Sequence, residues 1–165
     1  MAELWRFGFD EWISRTVPGD VESVAARMRE ADRREVWASH ELEPLEALRS
    51  SVGRTPKPRT IWKGDRPAAI FGVVPVSVVF RTGIVWLLGT ELIEKHPVPF
   101  LRHTKEVMEA LQEEYGLLFN WVHETNRLSR RWLRWCGYEE RDVMTGMHGD
   151  RFIRYELRKG GATCA

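Results

Sequence analysis

Five consecutive apolar residues, Ile84-Val85-Trp86-Leu87-Leu88, stand between Gly83 and Gly89 with no polar side chain to mark a solvent face. A strand that meets water on one side alternates, so a run this uniform belongs to a central strand covered on both faces. The chain must therefore supply helices for both sides of a sheet.

Its other periodic segments do so. Pro18-Gly19-Asp20 precedes Val21, Val24, Ala25 and Met28 at helical spacing, with Asp20 as the expected N-cap. Ala31 to Glu43 is polar and irregular and reads as a connection. Pro44 then suits the first turn of a shorter helix carrying Leu45, Leu48 and Val52. Gly53 to Arg59, with Pro56 and Pro58, reads as an exposed connection into the sheet. Thr60–Trp62 and Ala68–Val74 flank the turn-forming Lys63-Gly64-Asp65-Arg66-Pro67, which predicts an antiparallel hairpin. Beyond the central strand, Phe100, Thr104, Val107, Met108, Leu111 and Tyr115 form one stripe of a helix expected to end before Gly116. Leu117–Val122 is a strand, Asn126–Trp135 a helix closed by Gly137, and two last strands surround Met147-His148-Gly149-Asp150. Gly160 to Ala165 reads as a frayed tail. The order is helix, helix, three strands, helix, strand, helix, two strands, which implies an α/β layer sandwich. Its βαβ unit, Ile84 through the Phe100 helix to Leu118, should be right-handed, with a crevice at the carboxyl ends of its two strands.

Composition narrows the function classes. A chain of 165 residues suits one domain spanning 1–165, and a formal net charge of +1 gives no bulk attraction to nucleic acid. The longest apolar run, Ala68 to Phe80, is broken by Gly72 and Pro75 and is too short for a membrane helix. Met1 to Asp10 carries Glu3, Arg6 and Asp10 and lacks the layout of a secretory signal, so synthesis in the cytoplasm is expected. Cys136 and Cys164 are too few for a disulfide framework or a structural zinc site. The eight tryptophans fit core and interface packing.

One stretch carries a family resemblance: Asn126, Ser129, Gly137 and Tyr138 within Asn126-Arg127-Leu128-Ser129-Arg130-Arg131-Trp132-Leu133-Arg134-Trp135-Cys136-Gly137-Tyr138. With Pro18-Gly19-Asp20, the first helix and Ala31-Asp32, it resembles the GNAT N-acetyltransferases, whose fold is a mixed, mostly antiparallel twisted sheet flanked by helices. Two departures stand out. The aromatic that the family often uses to protonate the leaving thiolate of coenzyme A is Leu133 here, and leucine has no proton to give. The glycine loop that holds the coenzyme pyrophosphate on backbone N–H groups is replaced by Thr90-Glu91-Leu92-Ile93-Glu94-Lys95-His96-Pro97-Val98-Pro99, which has no glycine, two prolines and two carboxylates. A fold of this type without the loop is similar to the internal virion protein A family of short-tailed bacteriophages. Leu118-Phe119-Asn120-Trp121-Val122, Asn126, Leu133, Gly137 and the closing hairpin from Phe152 to Leu157 carry that likeness.

The resemblance to the phage family implies a non-enzymatic protein of particle assembly or genome delivery. It would be made in the host cytoplasm, taken into the virion and partnered by phage or host proteins, with no cofactor. The alternative is an active acyl-CoA-dependent N-acyltransferase binding acetyl-CoA beside Leu88, Gly89, Thr90 and Asn126, its phosphates on Arg102, Arg127 or Arg131. A small regulatory module that binds a host protein is a third reading. Arg127, Arg130, Arg131 and Arg134 make one side of their helix basic and, with Trp132 and Trp135, suit a protein surface better than nucleic acid. His123-Glu124 is a candidate general base at a strand end, although exposed loop polarity is the plainer meaning. His40-Glu41 lies where acetyltransferases often place acceptor-binding groups. His96 and His103 have no zinc spacing, and Cys136 reads as a buried small residue.

Overall fold

A computed structural model describes residues 5–6 and 11–160, with side chains described for 13–96 and 104–160. Cys164 and all but the first residue of the expected tail lie outside the described residues, as do the side chains of Phe100, Arg102 and His103. The strands are β1 (Trp5–Arg6), β2 (Glu11–Arg15), β3 (Arg59–Lys63), β4 (Arg66–Ser77), β5 (Thr82–Gly89), β6 (Leu117–His123), β7 (Glu139–Thr145) and β8 (Arg151–Arg158). The helices are α1 (Pro18–Ala26), α2 (Glu30–His40), α3 (Pro44–Gly53), α4 (Glu91–Lys95), α5 (Pro97–Glu114) and α6 (Arg127–Trp135). One sheet runs β1-β2-β3-β4-β5-β6-β8-β7, antiparallel throughout except at β5–β6.

The all-apolar strand is central, as its composition requires. Val85 and Leu87 point to one face with Phe71, Val73, Met108 and Leu133, under α5 and α6. Trp86 and Leu88 point to the other with Ile70, Val24 and Leu48, under α1 and α3. The expected crevice is also there. Only Thr82–Ile84 of β5 pair with Leu117–Phe119 of β6, and beyond Ile84 the two parallel strands part.

Four sequence expectations need correction. Residues in 5–15 that were assigned no strand form β1 and β2 at the sheet edge. The Ala31 to Glu43 stretch is helical over most of its length, and its buried residues, Asp32 and Ala38, leave no apolar stripe to mark it. The loop after Gly89 contains the single turn α4, capped by Thr90, whose Oγ1 accepts from Leu92 N at 3.3 Å. Asp20 lies inside α1 rather than capping it. Its carboxylate accepts from Val17 N–H at 3.1 Å and from the Thr60 hydroxyl at 2.8 Å, tying the helix start to β3.

Gly83 has no room for a side chain: a Cβ there would lie 2.3 Å from Val73 Cγ1 and 2.9 Å from the Tyr115 ring. Gly83→Ala should therefore cost about 1–3 kcal/mol through overpacking, measured as a lower urea midpoint at unchanged slope.

Candidate functional site

The crevice between the parted ends of β5 and β6 holds side chains from α2. Arg29, the residue before α2, sits there with its guanidinium almost wholly buried. It donates from Nε to Asp32 Oδ2 at 2.8 Å and from Nη2 to Asp32 Oδ1 at 2.6 Å, a bidentate pair of the strong kind. The same guanidinium reaches Asn126 Oδ1 at 3.1 Å, Ser129 Oγ at 2.8 Å and Glu94 Oε1 at 3.3 Å. Asn126 Nδ2 donates to Asp32 at 3.2 Å and to Glu35 Oε2 at 3.0 Å. Both strand ends are held by these carboxylates: Gly89 N–H donates to Asp32 at 2.8 Å and His123 N–H to Glu35 at 2.9 Å. Gly89 C=O in turn accepts from Arg29 N–H at 2.9 Å.

The electrostatics follow from burial. Desolvation works against the Arg29 charge, and the carboxylates of Asp32, Glu35 and Glu94 outweigh it, leaving the guanidinium above its ordinary value. Glu35 goes the other way. Burial, then the Asp32 charge, push its carboxyl up to about 7, against the hydrogen bonds from Asn126 and His123.

Two pockets flank this lock. Glu35, Ser39, His40, Leu88, Asn120 and Trp121 are among the residues around a cavity of 680 Å³ over β5, β6 and the β7–β8 turn. Arg29, Glu94, Arg127, Arg130, Arg131 and Arg134 surround a second one of 520 Å³ at the crevice mouth. Arg130 and Arg134 have partners in Glu140, at 3.5 and 3.0 Å. Arg127 and Arg131 are exposed and form no ion pair among the described residues.

The structure thus gathers the sequence candidates unevenly. Gly89 and Asn126 meet in the lock, and Arg127 and Arg131 meet in the basic pocket beside it. Leu88 is buried in the core, and Thr90 is turned inward to Ala68 C=O at 3.0 Å. His123 is no exposed loop residue: it is 3% exposed, with Nε2 2.9 Å from Asp150 Oδ1 and Nδ1 accepting from Thr125 N–H, so it pins β6 to the β7–β8 turn. Trp132 is buried in the core, which leaves Trp135 alone to present an indole beside the arginines. Cys136 is buried, and desolvation pushes its thiol up to about 11, an unreactive state. No three-residue group of His, Cys, Asp or Glu with metal-binding geometry occurs among the described residues, and none of their helices is long and apolar enough to cross a membrane. Sequence reasoning missed Arg29, Asp32 and Glu35 because their segment lacked an apolar stripe. The i, i+3, i+6 spacing of Arg29, Asp32 and Glu35 at the start of α2 was the available signal.

No protein-family model matches the sequence, and no curated protein matches it. Solved structures do. RimL, the ribosomal L7/L12 alpha-N-protein acetyltransferase, superposes with a TM-score of 0.72 at 10% identity, covering 96% of both chains. The ribosomal-protein-S5-alanine acetyltransferase from Vibrio fischeri gives 0.67 at 10% identity over 96% of this chain and 97% of that one. The microcin C7 self-immunity acetyltransferase MccE, in complex with acetyl-CoA and AMP, gives 0.68 at 7% identity over 93% and 94%. The fold is therefore that of the GNAT acetyltransferases. The expected phage virion family receives no support from these likenesses.

Two measurements test the lock. Asp32→Ala leaves Arg29 buried without its bidentate partner and should cost about 3–5 kcal/mol in chemical denaturation. Glu35 gives a pH signature. Between its ordinary 4.5 and about 7 the folded state keeps a proton that the unfolded chain has released, so stability from this group falls as pH rises through that window. Glu35→Gln should flatten that slope in denaturation curves recorded from pH 4.5 to about 8.

Proposed function

We propose that the chain is an acyl-CoA-dependent N-acyltransferase that holds the coenzyme phosphates against α6 arginines in place of a glycine loop. The observation that carries this reading is the arginine-lined pocket at the mouth of the β5–β6 crevice, where Arg127 and Arg131 stand without ion-pair partners among the described residues. Free guanidiniums fit phosphates by charge and by their forked donors. The fold points the same way, since solved neighbours include RimL in complex with coenzyme A and MccE in complex with acetyl-CoA and AMP.

The bound coenzyme would supply an acyl group activated as a thioester. The chain supplies the rest. Glu35 lines the larger pocket with a carboxyl tuned to about 7, the range in which a general base is both ionised and basic enough to take a proton from an acceptor ammonium. Asn126 and His123 N–H hold that carboxylate in place. Trp86, Trp121 and Phe152 in the same pocket wall exclude water from the acceptor. Leu133 offers no acid, so the leaving thiolate takes its proton from solvent.

A second reading has its own observation. Gly89 N–H and C=O are both engaged, by Asp32 and by Arg29, at the strand end that opens the crevice. A crevice closed in this way suits a non-enzymatic protein that keeps the scaffold for binding partners.

Titration calorimetry with acetyl-CoA decides between them. Saturable binding at micromolar concentration, weakened about tenfold or more in Arg127→Gln/Arg131→Gln, supports the enzyme. With amine acceptors, turnover should then rise with pH through about 7 and fall at least about a hundredfold in Glu35→Gln without loss of coenzyme affinity. No heat and no thermal stabilisation at millimolar ligand would overturn the reading in favour of the closed crevice.

A further inference from the structure

Toward the other end of the sheet, Ile13, Phe71, Val73, Val107, Leu111 and Tyr115 wall a further cavity of 380 Å³ between α5 and the β2–β4 side. Its volume falls at the small end of the range for ligand sites, and its interior is apolar. Its rim is charged, with Lys57, Arg59 and Glu114 at the opening. Arg59 stands directly across the β2–β3 ladder from Arg15. Like charges placed opposite each other weaken a sheet, and neither guanidinium has an ion pair or side-chain hydrogen bond among the described residues. Lys57 does pair with Glu114 at 3.1 Å, but both side chains are largely exposed, which makes that contact weak. One carboxylate therefore faces two cations in the lining of an apolar cavity, and the half-buried Arg59 has the exposed Arg15 as its neighbour across the ladder.

We propose that this cavity binds an amphiphile with one anionic headgroup, a carboxylate or a phosphate monoester. Its apolar body lies between α5 and the sheet, and its headgroup rests on Arg59 with Arg15 behind it. An anion there relieves the opposition of the two arginines, and the apolar wall gains the contacts that solvent cannot provide. The proposal does not depend on acyl transfer, because none of these residues lines the crevice or the two pockets beside it.

The test is a titration of the full chain, methyl-labelled for nuclear magnetic resonance, with octanoate, octyl phosphate, octanol and acetate. Octanoate or octyl phosphate should shift the methyls of Ile13, Val73, Val107 and Leu111 saturably, and the tighter of the two names the headgroup. Octanol and acetate, each lacking one half of the ligand, should bind at least about tenfold more weakly. Arg59→Gln should weaken the anion about tenfold while leaving octanol unchanged. It should be no less stable than the parent, because it also removes a like-charge pair, which separates lost binding from lost folding. Octanol binding as tightly as the anions, shifts centred near Trp86 and Leu88 instead, an unchanged affinity in Arg59→Gln, or no shifts at millimolar ligand would each overturn the proposal.

Discussion

The carboxamide of Asn126 uses its full hydrogen-bonding capacity, accepting from Arg29 Nη2 and Ser129 N–H and donating to Asp32 and Glu35. It thereby joins α2 to the start of α6. Through the two carboxylates it also joins Gly89 to His123, the ends of the one parallel strand pair. That pair has lost its ladder three residues in, so its far ends are braced by side chains and not by strand hydrogen bonds. A brace of buried charges is stiff, because opening any member strands another without a partner.

The same brace borders both pockets. Arg29 belongs both to the lock and to the wall of the basic pocket, while Glu35 belongs both to the lock and to the wall of the larger one. Arg29 is one of the groups that keep the Glu35 carboxyl from rising further. An anion that drew Arg29 outward would leave Asp32 and Glu35 facing each other with less positive charge between them, and the Glu35 proton would be held more tightly. Occupancy of one side and basicity on the other are then linked, in the reciprocal sense that any such coupling requires.

How much of this could be read in the sequence depended on what each segment buries. The central strand, the hairpin before it and α3 bury apolar side chains at regular spacing, and all were legible. So was the crevice, which follows from one parallel pair in a mixed sheet. Asn126 was legible as the start of a helix, which its side chain caps by accepting from Ser129 N–H at 3.4 Å. Its larger role was not, because three of its partners lie more than ninety residues away, Asp32 and Glu35 on the helix expected to be a connection and Arg29 just before it. Helix α2 hides for a physical reason: one of its fully buried residues is Asp32, and a polar residue satisfied by tertiary partners leaves no hydrophobic period. His123 misled in the opposite direction. A histidine beside Glu124 at a strand end looked exposed, but Asp150, far along the chain, accounts for its ring nitrogen and lets it be buried.

The segment after Gly89 satisfies its own backbone and charges without a glycine loop. In a glycine loop, open N–H groups and a helix start face an anion. Here Thr90 caps α4 with its own hydroxyl, and Glu91 and Glu94 place carboxylates in the first turn, so the chain itself supplies the negative charge that such a helix start favours. Glu94 then contacts Arg29, which brings a positive charge from just before α2 to the same point. Pro97 opens α5 without an N–H to offer. Exposed positive charge at the crevice mouth lies instead on α6, at Arg127 and Arg131, so under the proposed function a ligand with phosphates would approach from the α6 side of the parted strands.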